Sequence, residues 1–299
     1  MQASAVSETA RLSSQEPEFT ESWEARARRF GLGLAWSLKH DGALGAARIG
    51  AAHLTALATP DPGLPAADAA PLSRTGAVAV ARDLSVPTLR SAYARGLYPF
   101  SHALRPKWLS PAERCIIRLA DFHLSKRLRS HIRKGTWRVT FDTAFAEVMR
   151  GCAERRPGQA PLTWITPTMM RAFQAFHEAG DAHSYEVWDE EGALIGGGYG
   201  VATGACFTIE SQFFRKTNAS KVGFSTLAWH LDHWGFRIAD NKKPAEAVAR
   251  YGFVTVPRAE FLTLLEEAPA APVKAGRWRV EADAARVAAW DPKLHRRAA

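Results

Sequence analysis

The chain has 299 residues, of which 46% are hydrophobic, and it carries a formal net charge of +9 with a pI near 9.7. This length and hydrophobic content predict a packed globular protein of one large domain or two modest ones. The excess of basic residues favours a polyanionic partner, because binding of cationic side chains to phosphates is driven by the release of counterions from the nucleic acid.

Cysteine spacing and apolar windows argue against several classes of protein. The three cysteines lie far apart, with neither CxxC spacing nor nearby paired histidines, so neither a disulfide framework nor a metal site is predicted. No window is apolar over enough residues to span a bilayer, and the first residues lack the basic start and apolar core of a secretory signal. We therefore expect a cytoplasmic protein with no membrane partner.

The first third of the chain predicts a helix, a linker and a second helix. Residues 21–57 have helical character, whereas the proline-rich segment TPDPGLPAADAAPLSRTG at 59–76 cannot continue a helix and predicts a linker. The second helix is predicted between residues 83 and 96. Ser85 is its candidate N-cap, and Pro87 suits its first turn.

A strongly basic run, SKRLRSHIRKGTWR, follows at residues 125–138. Such a run is typical of a site for a phosphate backbone, but a solvated helical face has the same pattern. On the first interpretation, the residues that contact phosphates are Lys126, Arg127, Arg129, Arg133 and Lys134.

The segment after residue 160 alternates helix and strand patterns. A helix is predicted over 166–180, because methionines and phenylalanines repeat at helical spacing and mark a core-facing stripe. Two hairpins are predicted over 184–195 and 199–209. Glu210 stands at the end of the last strand, where a carboxylate is costly to bury without a partner. A further helix begins after Asn218, its candidate N-cap.

Several sequence motifs occur in order between about residues 78 and 265. They are SAYARGLYPF, KWLSP, WIT, HEAGDAHSYEVWD, GGGYGVATGACF, IESQFFR and NASK. Together they resemble the bacterial leucyl/phenylalanyl-tRNA–protein transferase family. The resemblance implies an α+β, acetyltransferase-like (GNAT) fold with a smaller N-terminal α/β subdomain. It also implies transfer of an amino acid from aminoacyl-tRNA to the N-terminal Arg or Lys of an acceptor protein, which marks that protein for degradation.

The resemblance also implies a domain organisation and a set of partners. We expect an N-terminal extension and linker at 1–76, a subdomain with the basic tRNA-facing segment at 77–160, a GNAT-like catalytic domain at 161–266 and a C-terminal tail at 267–299. No metal or other cofactor is expected, because the aminoacyl ester is already activated. Aminoacyl-tRNA and acceptor proteins are the expected partners of a monomeric enzyme.

The predicted catalytic residues come from two acidic positions of the family motifs. Glu210 and Asp240 match these positions and suit the handling of an attacking α-amine, although structural ion pairs are the alternative for either acid alone. Two residues after Asp240 the family has a glutamine, proposed to take part in a proton relay, whereas this chain has Lys242. A charged lysine accepts no hydrogen bond, so Lys242 serves only if burial neutralises it, or if Asn241 takes over the amide's role.

The substrate pockets implied by the resemblance depart from the family pattern as well. Two methionine positions correspond to Gly198 and Gln212, which predicts a roomier and more polar aminoacyl pocket. The donor amino acid is expected to be of the leucine/phenylalanine class, with a preference that is broadened or shifted toward a larger or partly polar side chain. Phe207 and Leu227 complete the predicted pocket. The 3′ adenosine of tRNA is expected to stack between Phe100 and Trp164. Without the resemblance, a core position for Trp164 is equally consistent with the sequence.

Two other functions remain open at the level of the sequence. An acyl-CoA-dependent N-acyltransferase on the same fold would need a glycine-containing pyrophosphate loop, and the nearest candidate, residues 215–220, lacks the glycines. A catalytically silent tRNA-binding homologue would keep the scaffold without the relay glutamine. Transfer activity would exclude the silent homologue. Dependence of that activity on RNA or on CoA would distinguish the tRNA-dependent transferase from the acyl-CoA-dependent acyltransferase.

Overall fold

The computed structural model describes residues 19–154, 162–267 and 273–295, and these residues form two β-sheets flanked by helices. The smaller sheet is antiparallel, has the order β1-β3-β2, and consists of β1 (Ala77–Val80), β2 (Tyr98–Phe100) and β3 (Lys107–Leu109). Within the described ranges, no helix is long and apolar enough to cross a membrane.

The larger sheet has seven strands in the order β10-β4-β9-β8-β7-β6-β5. Its strands are β4 (Glu113–Arg118), β5 (Arg138–Phe141), β6 (Ala182–Trp188), β7 (Leu194–Thr203), β8 (Cys206–Phe214), β9 (Ile238–Asp240) and β10 (Val254–Pro257). All of its pairings are antiparallel except that of β8 with β9.

Helices cover both faces of this sheet. They are α1 (Trp23–Ala58), α2 (Val86–Ala94), α3 (Lys126–Arg133), α4 (Phe145–Ala153), α5 (Pro167–Glu178), α6 (Ala219–His233), α7 (Glu246–Ala249), α8 (Arg258–Glu266), α9 (Ala284–Ala289) and α10 (Pro292–His295). Side chains alternate along the central strands, so Tyr185 and Phe207 join the core beneath α6, whereas Tyr199 and Phe213 join the core beneath α2, α4 and α5.

An irregularity between β7 and β8 determines how Glu210 is presented. Tyr199 pairs with Ser211 and Gly200 pairs with Ile209, so Glu210 is an extra residue on β8. Bulges of this kind re-aim a side chain and are common beside functional sites. A Cβ at Gly200 would collide with a backbone carbonyl oxygen of β8, which explains the glycine at this position.

Most of the predicted elements are confirmed, but the predicted position of Glu210 at the end of its strand is wrong, because β8 continues to Phe214. The two predicted hairpins share β7, which is one continuous strand. Thr166 caps α5 by accepting a hydrogen bond from the Met169 amide at 3.3 Å. Asn218 differs from the prediction: it lies at the N-cap of α6 in the left-handed region with φ 73°, but its side chain accepts a hydrogen bond from Lys221 Nζ at 2.8 Å instead of capping the helix.

The mixed α+β class is confirmed, and the finer GNAT assignment stays a prediction. The predicted boundaries at residues 76, 160 and 266 also stay predictions. The segment 77–160 contributes to both sheets, because β1, β2 and β3 form the small sheet whereas β4 and β5 pair within the large one.

Candidate active site

A cavity of about 100 Å³ opens where β2, β8 and the turn after β9 meet. It brings together five of the predicted site residues from four separate segments of the chain. Three residues that the sequence analysis did not select, Tyr98, Pro99 and Lys243, complete the walls. The full lining is Tyr98, Pro99, Phe100, Trp164, Glu210, Asn241, Lys242 and Lys243.

The Glu210 carboxylate is completely buried and has two partners. The Tyr93 hydroxyl donates a hydrogen bond to Oε1 at 2.8 Å, and the Lys242 ammonium lies 2.8 Å from Oε2. Burial raises the pKa of the Tyr93 hydroxyl well above its usual value, so Tyr93 remains a donor at neutral pH. The hydrogen bond to Oε1 and the ion pair at Oε2 offset the cost of burying the carboxylate, although Oε2 accepts no hydrogen bond from the residues that the structure describes.

Lys242 places its ammonium group inside the cavity, in an aromatic cage. Nζ lies 5.1 Å from the centroid of the Tyr98 ring and 5.6 Å from that of Trp164, within the range of a cation–π interaction. Only 12% of its side chain is exposed. Lys242 therefore lies beside Glu210 as its ion-pair partner. Asn241 also lines the cavity, and its amide nitrogen donates to the Lys243 carbonyl at 2.8 Å.

Asp240 stands behind the cavity wall and does not line the cavity. Its fully buried carboxylate pairs with Arg114 of β4, whose Nη1 also donates to the Gly96 carbonyl at 2.7 Å. Asp240 Oδ1 accepts the backbone N–H of Lys242 at 2.8 Å. This bond fixes Lys242 in the left-handed region at φ 65°, where a non-glycine residue is uncommon. Asp240 thus holds the turn that directs Lys242 into the cavity.

The four residues of the predicted aminoacyl pocket do not line this cavity. A Cβ at Gly198 would lie 2.8 Å from atoms of the Tyr185 ring, so that ring fills the space in which extra room was expected. The Tyr185 hydroxyl donates to Gln212 Oε1 at 2.9 Å, which satisfies the glutamine oxygen. Phe207 and Leu227 are buried in the core beneath α6. The extra room expected at Gly198 is thus occupied by Tyr185, whereas the aminoacyl pocket itself and the donor preference stay predictions.

Phe100 and Trp164 stack on each other, with ring centroids 5.8 Å apart and an interplanar angle of 23°. A base inserted between two rings needs about 7 Å, twice the ~3.4 Å stacking rise of a nucleic acid strand. The two rings therefore leave no room for a base between them in this arrangement, although each ring lines the cavity. The binding of the 3′ adenosine at Phe100 and Trp164 stays a prediction.

The predicted basic run forms α3 and its C-cap, and four of its five selected residues are exposed. Arg129 differs from the prediction. Its guanidinium donates to the carbonyl groups of Leu124 at 3.1 Å, Ala288 at 2.9 Å and Trp290 at 2.5 Å, so it fastens the C-terminal segment to α3. The exposed members are Lys126, Arg127, Arg133 and Lys134.

A cleft of about 610 Å³ beside α3 collects cations from three segments. Arg127 and Lys134 line it, together with Lys221 of α6 and Arg250 after α7. The pKa of Lys221 is lowered, mainly by burial and to a smaller extent by repulsion from Arg250 and Arg127. This mutual repulsion favours binding of an anion between the cations.

Arg114 and Tyr185 were missed by the sequence analysis, although each left a signal. Arg114 interrupts a buried strand with a charge, which predicts a buried partner. Tyr185 stands opposite Gly198 in the β6–β7 register, and a large ring facing a glycine is a common packing solution. Tyr98 and Lys243 gave no such signal, because their roles depend on contacts between segments far apart in the chain.

Comparison with known proteins identifies the family. A model of the family described as leucyl/phenylalanyl-tRNA protein transferase matches residues 116–266. The transferase of that name from Syntrophotalea carbinolica is 44% identical over 198 residues, covering 66% of this chain and 86% of that protein. The one from Anaeromyxobacter dehalogenans is 43% identical over 227 residues, covering 75% of this chain and 94% of that protein.

Solved structures give only a weak match. The crystal structure of FemX aligns with a TM-score of 0.38 and 12% identity, over 52% of this chain and 64% of that chain.

The sequence matches make the chain an aminoacyltransferase that uses charged tRNA. It belongs to the leucyl/phenylalanyl-tRNA–protein transferase family.

Proposed function

We propose that this chain transfers an aminoacyl group from charged tRNA to the α-amine of an acceptor protein that begins with Arg or Lys, and that the cavity around Glu210 is where the amine reacts. The observation that carries the proposal is the cage itself. A buried carboxylate and the rings of Tyr98 and Trp164 surround an ammonium group, which is the chemistry that an incoming N-terminus requires. The preference for Arg or Lys follows from the family resemblance.

Lys242 occupies the place that the acceptor amine takes during the reaction. The α-amino group is mostly protonated at neutral pH, since its reference pKa is about 8. An incoming ammonium displaces the Lys242 ammonium from Glu210, and the Lys242 side chain then turns toward the open side of the cavity. Glu210 is therefore the residue that binds the acceptor charge, and Tyr93 holds its carboxylate in position.

Glu210 is also the proton acceptor in the proposed reaction. It takes one proton from the bound ammonium, which frees the nitrogen lone pair for attack on the ester carbonyl carbon. A carbon–nitrogen bond forms, and the bond between the carbonyl carbon and the tRNA 3′ oxygen breaks. The nitrogen gives up its second proton to that oxygen, which leaves as the 3′ hydroxyl of tRNA, while the first proton stays on Glu210. Because the ester is already activated, positioning of the two substrates supplies much of the rate enhancement.

The proposal also covers how tRNA binds, the type of scaffold, and the oligomeric state and location of the enzyme. The 3′ adenosine stacks on the cavity-facing rings of Phe100 or Trp164, and the cleft lined by Arg127, Lys134 and Lys221 binds phosphates of the tRNA body. The scaffold is of the GNAT type, the enzyme acts as a monomer in the cytoplasm, where charged tRNA is available, and its product is marked for degradation.

The proposal is tested by transfer of a labelled amino acid from a panel of charged tRNAs to short peptides. We expect product with a peptide beginning with Arg or Lys, and none with the same peptide after N-terminal acetylation, because the amide nitrogen is neither cationic nor nucleophilic. A matched reaction with acetyl-CoA in place of tRNA tests the alternative N-acyltransferase. Transfer from CoA but not from tRNA would overturn the proposal.

A further inference from the structure

The helical segment α1, which is kinked at Gly42, lies outside residues 116–266, which the family model matches. Its first half nevertheless docks against the segment that carries Phe100. Arg29 Nη1 donates to the His102 carbonyl at 3.0 Å. Gly33 packs so closely that an added Cβ would lie 2.9 Å from the His102 carbonyl carbon, and the ring of Trp36 contacts both Phe100 and His102. The helix therefore packs directly against the segment that contributes Phe100 to the active-site cavity.

Aromatic rings continue without a break from the cavity to the surface of α1. Trp164 and Phe100 line the cavity; Trp36 follows with its ring centroid 5.8 Å from that of Phe100, and His40 stacks on Trp36 at 4.4 Å with an interplanar angle of 21°. Trp36 is half-buried and His40 is exposed. Aromatic rings that serve only to fill a core do not need to extend to the protein surface. Because these rings do, we interpret them as a surface on which a ligand stacks.

Cationic groups accompany this series of rings. The Lys243 ammonium lies 5.8 Å from the centroid of the Phe100 ring, and burial lowers the pKa of Lys243. Lys107 lies in the strand that pairs with β2, and burial lowers its pKa as well. An arriving anion would offset the cost of charging these two lysines. Aromatic faces beside cations are the combination that binds single-stranded nucleic acid.

We propose that Trp36 and His40 form a stacking platform for the unpaired nucleotide on the 5′ side of the terminal adenosine of charged tRNA. This inference rests on the proposed function, in which the adenosine itself stacks at Phe100 or Trp164. Consecutive bases of one strand stack on neighbouring rings, and the Phe100 ring contacts both Trp164 and Trp36, with each centroid at 5.8 Å. The platform thus lengthens the site from one nucleotide to two.

Three donors of increasing length test the platform: aminoacyl-adenosine, an aminoacylated CCA trinucleotide and charged tRNA. Trp36→Ala should raise KM for the trinucleotide and for charged tRNA by roughly 5- to 100-fold, the equivalent of one base stack, while kcat and the KM for aminoacyl-adenosine stay unchanged. Trp36→Phe should recover most of the affinity, because it keeps an aromatic face. Trp164→Ala should raise KM for all three donors.

Trp23→Ala is the matched control, because Trp23 lies on the same helix with 77% of its surface exposed and is remote in sequence from the platform. It should change no KM. An equal rise for aminoacyl-adenosine in Trp36→Ala would overturn the platform, since Trp36 would then only support Phe100. Unchanged KM values for all donors would overturn it too. The affinity of the uncharged CCA trinucleotide for the wild-type protein and for Trp36→Ala can be compared at equilibrium, without turnover. This measurement tests the platform even if the protein has no transfer activity.

Discussion

The ammonium group of Lys242 lies 2.8 Å from the carboxylate of Glu210, in the cage that we propose for the acceptor amine. In the free protein, the Lys242 ammonium therefore occupies the position that we propose for the ammonium of the acceptor substrate. The contact places a positive charge beside a buried carboxylate in the free protein, and it also means that the acceptor competes with a side chain. Two features of the site, its stability and its affinity for acceptor, depend on this pair.

Lys242→Gln should improve acceptor binding. Removing the competing cation should lower KM for an Arg-initiated peptide by about two- to fivefold, the scale of a partly exposed ion pair. Steady-state kinetics at saturating charged tRNA measure this change. Lys243→Gln is the control, because Lys243 lines the same cavity without contacting Glu210, and it should leave the acceptor KM unchanged. A higher acceptor KM, or a tenfold lower kcat, in Lys242→Gln would contradict the displacement.

Asp240→Asn should act mainly on stability. It leaves the completely buried Arg114 without its anionic partner, and breaking such a buried pair costs about 3–5 kcal/mol of the free energy of unfolding. Urea denaturation provides the measurement. Glu210→Gln should cost clearly less, because the partner left behind, Lys242, retains 12% exposure and can turn toward solvent. Equal destabilisation in the two variants would contradict the assignment of Asp240 to a positioning role.

Neutralising the cleft beside α3 should flatten the salt dependence of tRNA binding. Arg127→Gln, Lys134→Gln and Lys221→Gln should each lower the slope of log affinity against log salt by about 0.7–0.9, because each removes one cation that neutralises a phosphate. Lys126→Gln and Arg133→Gln serve as controls, because these residues are exposed on the same helix but do not line the cleft. A uniform effect of all five substitutions would indicate a diffuse basic surface instead of a cleft.

Gly198→Met should destabilise the protein, because the added side chain meets the ring of Tyr185. Overpacking of this kind costs about 1–3 kcal/mol, and thermal or urea unfolding measures it. In a Tyr185→Ala background the same substitution should cost at least about 1 kcal/mol less, since the ring is gone. Strictly additive destabilisation would show that the two positions do not share one space.

The local elements were predictable from the sequence because their signals are local. Thr166 and Pro167 begin α5, and turn residues delimit the β6–β7 and β7–β8 hairpins, as the capping and alternation patterns indicate. The penalty for an unpaired buried carboxylate also indicated a functional residue at Glu210 before any contact was known. Its predicted position at the end of a strand was wrong, because β8 continues past it to Phe214.

The remaining features depend on contacts between distant segments. The bulge that turns Glu210 toward Tyr93 arises from the pairing of two strands, and no pattern within β8 specifies it. Arg129 hydrogen-bonds to the C-terminal segment and is therefore not a free cation of the basic run. Nothing in the sequence distinguishes it from the neighbouring basic residues. The docking of Trp36 beside Phe100 joins residues 64 positions apart, so sequence periodicity could not reveal it.

The most direct test of the account compares the wild-type protein with Glu210→Gln in single-turnover transfer from saturating charged tRNA to a peptide beginning with Arg. The substitution keeps the shape of the side chain and removes the carboxylate that binds the acceptor ammonium and takes its proton. We predict a decrease of roughly 10²-fold or more in the transfer rate, with unchanged affinity for charged tRNA and a folded protein. A transfer rate within a few-fold of the wild-type rate would contradict the placement of the reaction at Glu210.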